Sequence, residues 1–507
     1  MQPLEFSVSV AVAGIKSIDS TLCGSVSCTV NAFSVIGLLL VSFLWILLIL
    51  SRQGVLNRLE RKIEIEKATR CDVSVPGLDL SQHQVSMVIY VRRYWHTVIS
   101  TIDSMPMEGQ PPLEVILVTD NDKRRPYKEL HARLNARQRS GIPITLATAG
   151  LSWHSSQKCH AQLCGVAQTS AQSKYILFMD EDAVLTRSTI PALVHSLATN
   201  PDTFAATGLG FDYPVPGTPL WSYLLLAYRT INMTAFITER PNFAWGGCLM
   251  MRREDFFVNK YAICDAIRDG AFAIDMTISH ICKRVGQTIS APVAAMYSAP
   301  LRPLRFGSYL RFVRSQLFVL GTRSQASFDR LQNLLISILI QLMPIVFSLP
   351  IWCLFIESPY IWARMLLGFD GCFVSRLFVL ILAAACALTL IIEARIVRVY
   401  HKLATALYGR GTLEPLHVNP ILFTLGMGLH LLLVPLVSIH LLITNRIIVG
   451  GVMYQRAGGR IIGVHRPEVD PITRKTVNWR TRAWGTSLAA AIARDHRFGL
   501  LHAPTLV

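Results

Sequence analysis

Charge is scarce in this chain. Asp, Glu, Lys and Arg make up 16% of its 507 residues, and stretches near the start and in the last third carry almost none. That is unusual for a soluble protein and fits a soluble domain flanked by membrane segments. Negative charge is scarcer still, 32 acidic against 49 basic residues, leaving a formal net charge of +17. The eleven cysteines include no CxxC spacing, which removes support for a zinc ribbon or a dithiol redox motif. Internal repeats and low-complexity tracts are also lacking.

What is present is apolar. Hydrophobic residues form 51% of the chain and mean hydropathy is positive. Residues 32–50 form an uncharged run long enough to cross a bilayer as a helix. Arg52, Arg58, Arg61 and Lys62 follow at once, whereas only Lys16 precedes it. The positive-inside rule therefore predicts a lumenal segment 1–31, a transmembrane helix 32–51 and a cytosolic continuation. A cleaved signal peptide fits less well, because its charges would precede the run. Three more apolar runs, near 334–356, 378–392 and 421–444, each can span within a membrane region 333–447. Pro344, Pro350 and Pro435 would kink or break them. A basic tail, 448–507, follows. Four crossings put both termini on the outer side, yet the arginine-rich tail argues for the cytosol, so the spans and the tail conflict. The basic residues flank apolar runs and do not interleave with aromatics. They suit anionic lipid headgroups better than nucleic acid, and no nucleic-acid partner is expected. Cys23 and Cys28 would pair on a lumenal side or stay free. Cys159, Cys164, Cys248, Cys264 and Cys282 read as ordinary reduced thiols.

Between the apolar runs, residues 80–325 have the texture of a soluble α/β domain. Short apolar runs at 85–91, 113–118 and 175–179 predict strands, and 156–172 and 189–197 predict helices. Alternation of the two predicts a parallel sheet with crossover helices.

Several acids sit where such a sheet binds ligands. The run 175–179 drives directly into Asp180-Glu181-Asp182. Burying the strand leaves the acids at its carboxyl end. Neighbouring carboxylates repel unless a cation sits between them, and a divalent metal bridging to a diphosphate would serve. A solvated acidic turn is the bland alternative. The run 113–118 likewise leads to Asp120 and Asp122, either a ligand acid or a strand-to-turn residue. Ser155 or Ser156 can cap the next helix, and Lys158 in its first turn can meet a phosphate there or remain a surface lysine. Trp245-Gly246-Gly247 offers a stacking indole and a close backbone, or a buried turn. Asp275, after Asp269-Gly270, is either a helix-start acid or a general base. Arg311 and Arg314 share a helix face and would neutralise a diphosphate or anchor the chain beside a membrane.

The ordered set resembles the GT-A glycosyltransferases that act on lipids or build polymers, and most of all the plant-type ceramide glucosyltransferases, glycosyltransferase family 21. The resemblance is carried by Val85-Ser86-Met87-Val88-Ile89, Ser156-Gln157-Lys158-Cys159-His160, Lys174 through Asp182, Trp245 through Met251, Asp269 through Thr277 and Phe312 through Leu320, and Arg446 through Tyr454 is similar to a short strand-like element after the last span in that family. It implies a Rossmann-like GT-A cytosolic domain between membrane helices. It implies that Asp120 contacts uridine, that Asp180 and Asp182 hold Mn2+ or Mg2+ on UDP-glucose, and that Asp275 is the catalytic base. Arg311 and Arg314 match the two anchored positions of a (Q/R)xxRW motif, although Ser315 replaces its tryptophan. Glu181 and Ile274 are further departures, and the second leaves Asp275 as the single acid at its position. The implied acceptor is ceramide at a Golgi or endoplasmic reticulum membrane. A polysaccharide synthase would use the same metal and base but more spans. A transporter with a cytosolic domain would leave the acidic motifs unexplained, with only His430 and His440 as ionisable groups in its last run. A cytosolic domain also predicts that the acceptor tripeptide Asn232-Met233-Thr234 stays unmodified. A glycosidase-sensitive mass at Asn232 in cells would overturn that orientation.

Overall fold

The computed structural model describes residues 78–322 with short interruptions, 418–469 and 476–483, and isolated positions within 53–64 and 391–405. Nearly all of them belong to one compact unit, 55–342 with 394–507. The expected spans at 32–51, 334–356 and 378–392 fall almost entirely outside the described residues.

The unit is built on a mixed seven-stranded sheet in the order β3-β2-β1-β4-β7-β5-β8. Its strands are β1 (Val85–Tyr90), β2 (Leu113–Thr119), β3 (Ile144–Thr148), β4 (Tyr175–Met179), β5 (Thr203–Thr207), β7 (Cys248–Arg252) and β8 (Thr288–Ser290). The first four are mutually parallel, and β7 runs antiparallel to β4 and β5. Every residue of β4 is buried, and so is most of β1 and β2. Continuous apolar strands of this kind need cover on both faces. One face packs under α1 (Val98–Asp103) and α4 (Thr189–Thr199). The other packs under α3 (Gln157–Val166), α7 (Ile263–Arg268) and α8 (Ile274–Val285). A short helix, α6 (Arg253–Phe257), continues directly from β7, and α2 (Arg125–Ala136) precedes β3.

Register positions the ligand end. Ile89 pairs with Met179 and Tyr90 with Val118. Tyr90, Asp120 and Asp180 therefore emerge side by side at the carboxyl end of the sheet. The antiparallel partner closes the group: Met179 faces Cys248, and the Asp180 N–H donates to the Gly247 carbonyl at 3.0 Å.

A second layer contains α5 (Leu220–Phe236), α9 (Phe306–Leu320) and α10 (Pro420–Ile443), packed on one another. A two-stranded parallel sheet, β6 (Gly210–Tyr213) with β9 (Tyr297–Pro300), leads into this layer. No membrane span is identified among the described residues. The last apolar run is nevertheless helical throughout as α10, 24 residues without Asp, Glu, Lys or Arg. The Asn419 side chain caps its start, accepting from the N–H groups of Ile421 and Leu422. Ile421, Leu425 and Leu436 lie exposed on its outer side.

The segment expected as a basic tail is folded over the described residues 446–469 and 476–483. It forms an antiparallel sheet of β10 (Arg446–Val449), β11 (Val452–Ala457), β12 (Arg460–Val469) and β13 (Thr476–Ala483). Gly450-Gly451 and Gly458-Gly459 turn its first two hairpins with positive φ, a backbone that side chains resist.

One contact sets how closely α3 approaches the sheet. A Cβ on Gly165 would stand 2.3 Å from Val88 Cγ1 and 3.0 Å from Val118 Cγ2. Both valines are fully buried and β-branched, so they cannot swing aside. Gly165→Ala is expected to destabilise the protein by about 1–3 kcal/mol despite alanine's better helix propensity. Thermal unfolding of the purified protein checks this, and an unchanged or raised midpoint would refute it.

Candidate active site

The three consecutive acids divide their work. The Glu181 carboxylate turns back and accepts from the backbone N–H groups of Arg92 at 2.8 Å, Arg93 at 3.0 Å and Tyr94 at 2.9 Å. Burial pushes its carboxyl up, and the three donors pull it down. Glu181 thus fastens the loop after β1. That leaves Asp180 and Asp182 as the half-exposed acids at the sheet end.

Asp180 is neutralised on its first oxygen. The Lys158 ammonium donates to its Oδ1 at 2.5 Å, and both side chains keep somewhat more than a third of their surface exposed. Burial pulls the lysine down, but the Asp180 charge outweighs it and the ammonium is held protonated. The local cause is a cap: Ser156 Oγ accepts the Cys159 N–H at 3.1 Å, which starts α3 and places Lys158 in its first turn. Asp275 enters from α8. Its Oδ2 accepts the Gly246 N–H at 3.0 Å and its Oδ1 accepts the Met276 N–H at 2.8 Å. Burial raises this carboxyl above the ordinary Asp range, with Lys158 the main opposing influence. The glycine pair explains the close approach. A Cβ on Gly246 would meet Asp275 Oδ2 at 2.7 Å, and one on Gly247 would meet Asp180 Oδ2 at 2.8 Å. Asp120 completes the opening, mostly buried, with Oδ1 accepting from the Tyr90 hydroxyl at 2.7 Å.

Residues 85–257 match the family described as glycosyl transferase family 2. That match supports a glycosyltransferase family 2 domain over these residues. Its mixed α/β sheet, with acids after β2 and β4, is the GT-A arrangement. Among solved structures, a mannosyltransferase from Pyrobaculum calidifontis in complex with GDP-Man and Mn2+ is similar at 13% identity. That alignment covers 74% of this chain and 100% of the other, with a TM-score of 0.40. A glucosyl-3-phosphoglycerate synthase from Mycobacterium tuberculosis, in complex with Mn2+, UDP and glucosyl-3-phosphoglycerate, is 16% identical. It covers 48% of this chain and 85% of the other, with a TM-score of 0.29. No curated protein matches the chain.

The matched stretch also contains a buried group that local sequence reading missed. Asp212 on β6 pairs with Arg229 on α5 at 3.4 Å, almost out of solvent. Burial pushes the Asp212 carboxyl up to about 6. The Arg229 guanidinium lies 4.6 Å from the centroid of the Trp245 ring and 5.5 Å from that of Phe312. The Trp245 indole N–H donates to the Tyr297 hydroxyl at 3.0 Å. One indole face and its N–H are therefore engaged within the protein, which bears on the stacking role expected for Trp245. No periodic signal marks Asp212, Arg229 or Tyr297, and only the fold gathers them.

The two α9 arginines go elsewhere. Arg311 donates to Ser308 Oγ at 3.0 Å, and Arg314 donates to the Arg446 carbonyl at 3.2 Å. Neither is bonded to Asp180 or Asp275.

Among the described residues no group of three or more His, Cys, Asp or Glu side chains forms a ready metal cage. The residues still fit a hard divalent ion. With Glu181 turned away, Asp180 and Asp182 offer the one or two carboxylates that Mg2+ or Mn2+ uses when phosphate oxygens supply other ligands. Glu181→Ala is expected to free the loop 92–94 and lower stability by about 1.5–3 kcal/mol, the scale for losing hydrogen bonds to a charged group. Thermal melting with limited proteolysis at that loop tests it. An unchanged midpoint and cleavage rate would show that Glu181 anchors nothing.

Proposed function

We propose that this protein is an inverting glycosyltransferase that moves glucose from UDP-glucose to the primary hydroxyl of ceramide. The observation that carries the reading is the half-buried Asp275 carboxylate, fixed by the Gly246 N–H in the same crevice as the Lys158–Asp180 pair. A raised, oriented carboxylate beside a phosphate-type cation is a general base next to a leaving-group site.

In this mechanism Asp120 orients the uridine. Lys158 offers positive charge to the diphosphate, and Asp180 and Asp182 would hold Mn2+ or Mg2+. When bound, that ion supplies Lewis-acid stabilisation of charge growing on the diphosphate. Asp275 takes the proton of the acceptor hydroxyl. The hydroxyl oxygen bonds to the anomeric carbon as the bond from that carbon to the UDP oxygen breaks on the opposite face. UDP leaves with the electron pair and the configuration inverts.

A lipid acceptor is supported by the low charge of the chain and by α10, an uncharged helix packed on α5 and α9 with aliphatic side chains outward. Keeping both acceptor chains in a bilayer avoids exposing methylenes worth about 0.8 kcal/mol each. The arrangement we propose is therefore integral to a Golgi or endoplasmic reticulum membrane, with the family 2 domain facing the cytosol.

The test is incubation of the purified protein with radiolabelled UDP-glucose, Mn2+ and short-chain ceramide. A labelled glycolipid is the expected product. An insoluble polymer would instead identify a polysaccharide synthase, and no transfer to either would return the transporter reading. Asp275→Asn is expected to reduce kcat on the order of 10²- to 10⁴-fold while UDP binding is retained. Because burial raises the Asp275 carboxyl above 3.8, kcat/KM should fall as pH drops through that raised value. The sign for stability is opposite. The folded state holds this proton more tightly than the unfolded chain, so the group's contribution is lost as pH rises through its folded pKa. Full turnover in Asp275→Asn, or an acid limb that survives the substitution unchanged, would remove Asp275 as the base.

A further inference from the structure

The C-terminal sheet lies beyond the residues matched to family 2, yet its side chains bond to the loops of the nucleotide end. Tyr454 on β11 is buried, and its hydroxyl accepts the Gln157 N–H at 3.2 Å, at the first turn of α3. Arg466 on β12 donates to the Ser152 carbonyl at 2.8 Å and to Gln157 Oε1 at 2.5 Å. Its guanidinium also lies 5.5 Å from the centroid of the Trp153 ring. Arg92, next to the loop held by Glu181, donates to the Gly450 carbonyl in the first hairpin turn. Arg460 pairs with Asp269, and the Ile461 N–H donates to the Gly270 carbonyl at 2.8 Å. Gly270 is at φ +77°, and a Cβ there would meet the Ile461 carbonyl at 2.7 Å.

These contacts reach three loops: the one after β1, the one after β3 and the one before α8. The first two flank Asp120, and the third leads to Asp275. The loops are also tied to each other, since the Ser156 N–H donates to the Ala271 carbonyl at 2.8 Å. The Tyr454 phenol is within electrostatic reach of Asp120 and Arg92. A hydroxyl, a guanidinium and an aromatic ring thus stand on the loops that flank Asp120 and its partner Tyr90.

Resting on the donor reading above, we propose that the C-terminal sheet is the outer wall of the nucleotide site. Tyr454 and Arg466 bind and position the nucleoside diphosphate, and β11–β12 hold the pocket closed over it. The domain's donor site is then assembled from two parts of the chain separated by almost two hundred residues. Loss of the wall should weaken nucleotide binding without removing Asp275 or the paired acids.

The experiment is isothermal titration of the full chain in detergent with UDP in the presence of Mn2+, with melting temperature recorded for each variant. Arg466→Ala and Tyr454→Phe are expected to raise the UDP dissociation constant roughly 10-fold or more while the melting temperature stays within a few degrees. In limited proteolysis, UDP should protect the sheet in the unmodified protein. UDP binding by the unmodified protein with unchanged affinity in both variants would overturn the wall and leave the donor reading standing. Absence of UDP binding in the well-folded unmodified protein would overturn the donor reading, and the wall with it. If both substitutions unfold the chain, the proteolysis arm decides: protection of the sheet by UDP supports the wall, and equal cleavage with and without UDP overturns it.

Discussion

A carboxylate cannot follow Met179 into the interior, and that constraint organises the site. Every side chain of β4 is buried between two helical layers, so the chain must turn outward where the acids begin. Asp180 emerges at the sheet's carboxyl end because β4 is pinned in register to β1 on one side and β7 on the other. Asp180 is held from both ends: its N–H bonds to Gly247 and its carboxylate to Lys158. Shifting β4 by one residue would put an acid into the core, so the register is protected by the cost of burying charge.

From that fixed point the rest is a matter of approach distance. Asp275 reaches the crevice because position 246 has no side chain to obstruct it, and position 247 leaves the same room for Asp180. α3 lies close to β1 and β2 because Gly165 lets it, and Lys158 on the same helix is thereby brought to Asp180. Three glycines thus set where three charged groups meet. The electrostatics then follow from the geometry. Burial favours the neutral form of Asp275, and the nearby ammonium limits that effect. A base with a raised carboxyl and a lysine held protonated are useful partners for moving a proton beside a phosphate.

The molecule joins this rigid frame to two less ordinary parts. The helices α5, α9 and α10 carry aromatic and histidine contacts, including Tyr309 to His430 Nδ1 at 2.7 Å. They bring Arg229 beneath Trp245 and tie it to the buried Asp212. The C-terminal sheet approaches from the other direction and bonds to the loops after β1 and β3. Residues 85–257 are therefore contacted by segments far along the chain: α9, α10 and the C-terminal sheet.

Much of the frame was legible in the sequence. The strands at β1, β2 and β4 announce themselves as apolar runs, since a strand covered on both faces has no polar side to show. Ser155 or Ser156 reads as a cap, and Asp120, Asp180 and Asp275 stand at element ends because charge cannot be buried midway. Other features were not legible, for physical reasons. Glu181 looks like its neighbours, and its partners are backbone N–H groups almost ninety residues earlier, which no side-chain pattern reveals. Arg311 and Arg314 share a helical spacing, but what a guanidinium bonds to depends on which carbonyls and hydroxyls the fold brings near. The tail read as a basic stretch suited to lipid headgroups with a short strand-like element at 446–454, and the glycine pairs at 450–451 and 458–459 between alternating strands were a fuller hairpin signal. Local burial and capping determine where acids leave the core, and the sequence alone carries that. Which acid meets a lysine, which meets a loop and which meets a distant sheet is decided only when the tertiary structure closes.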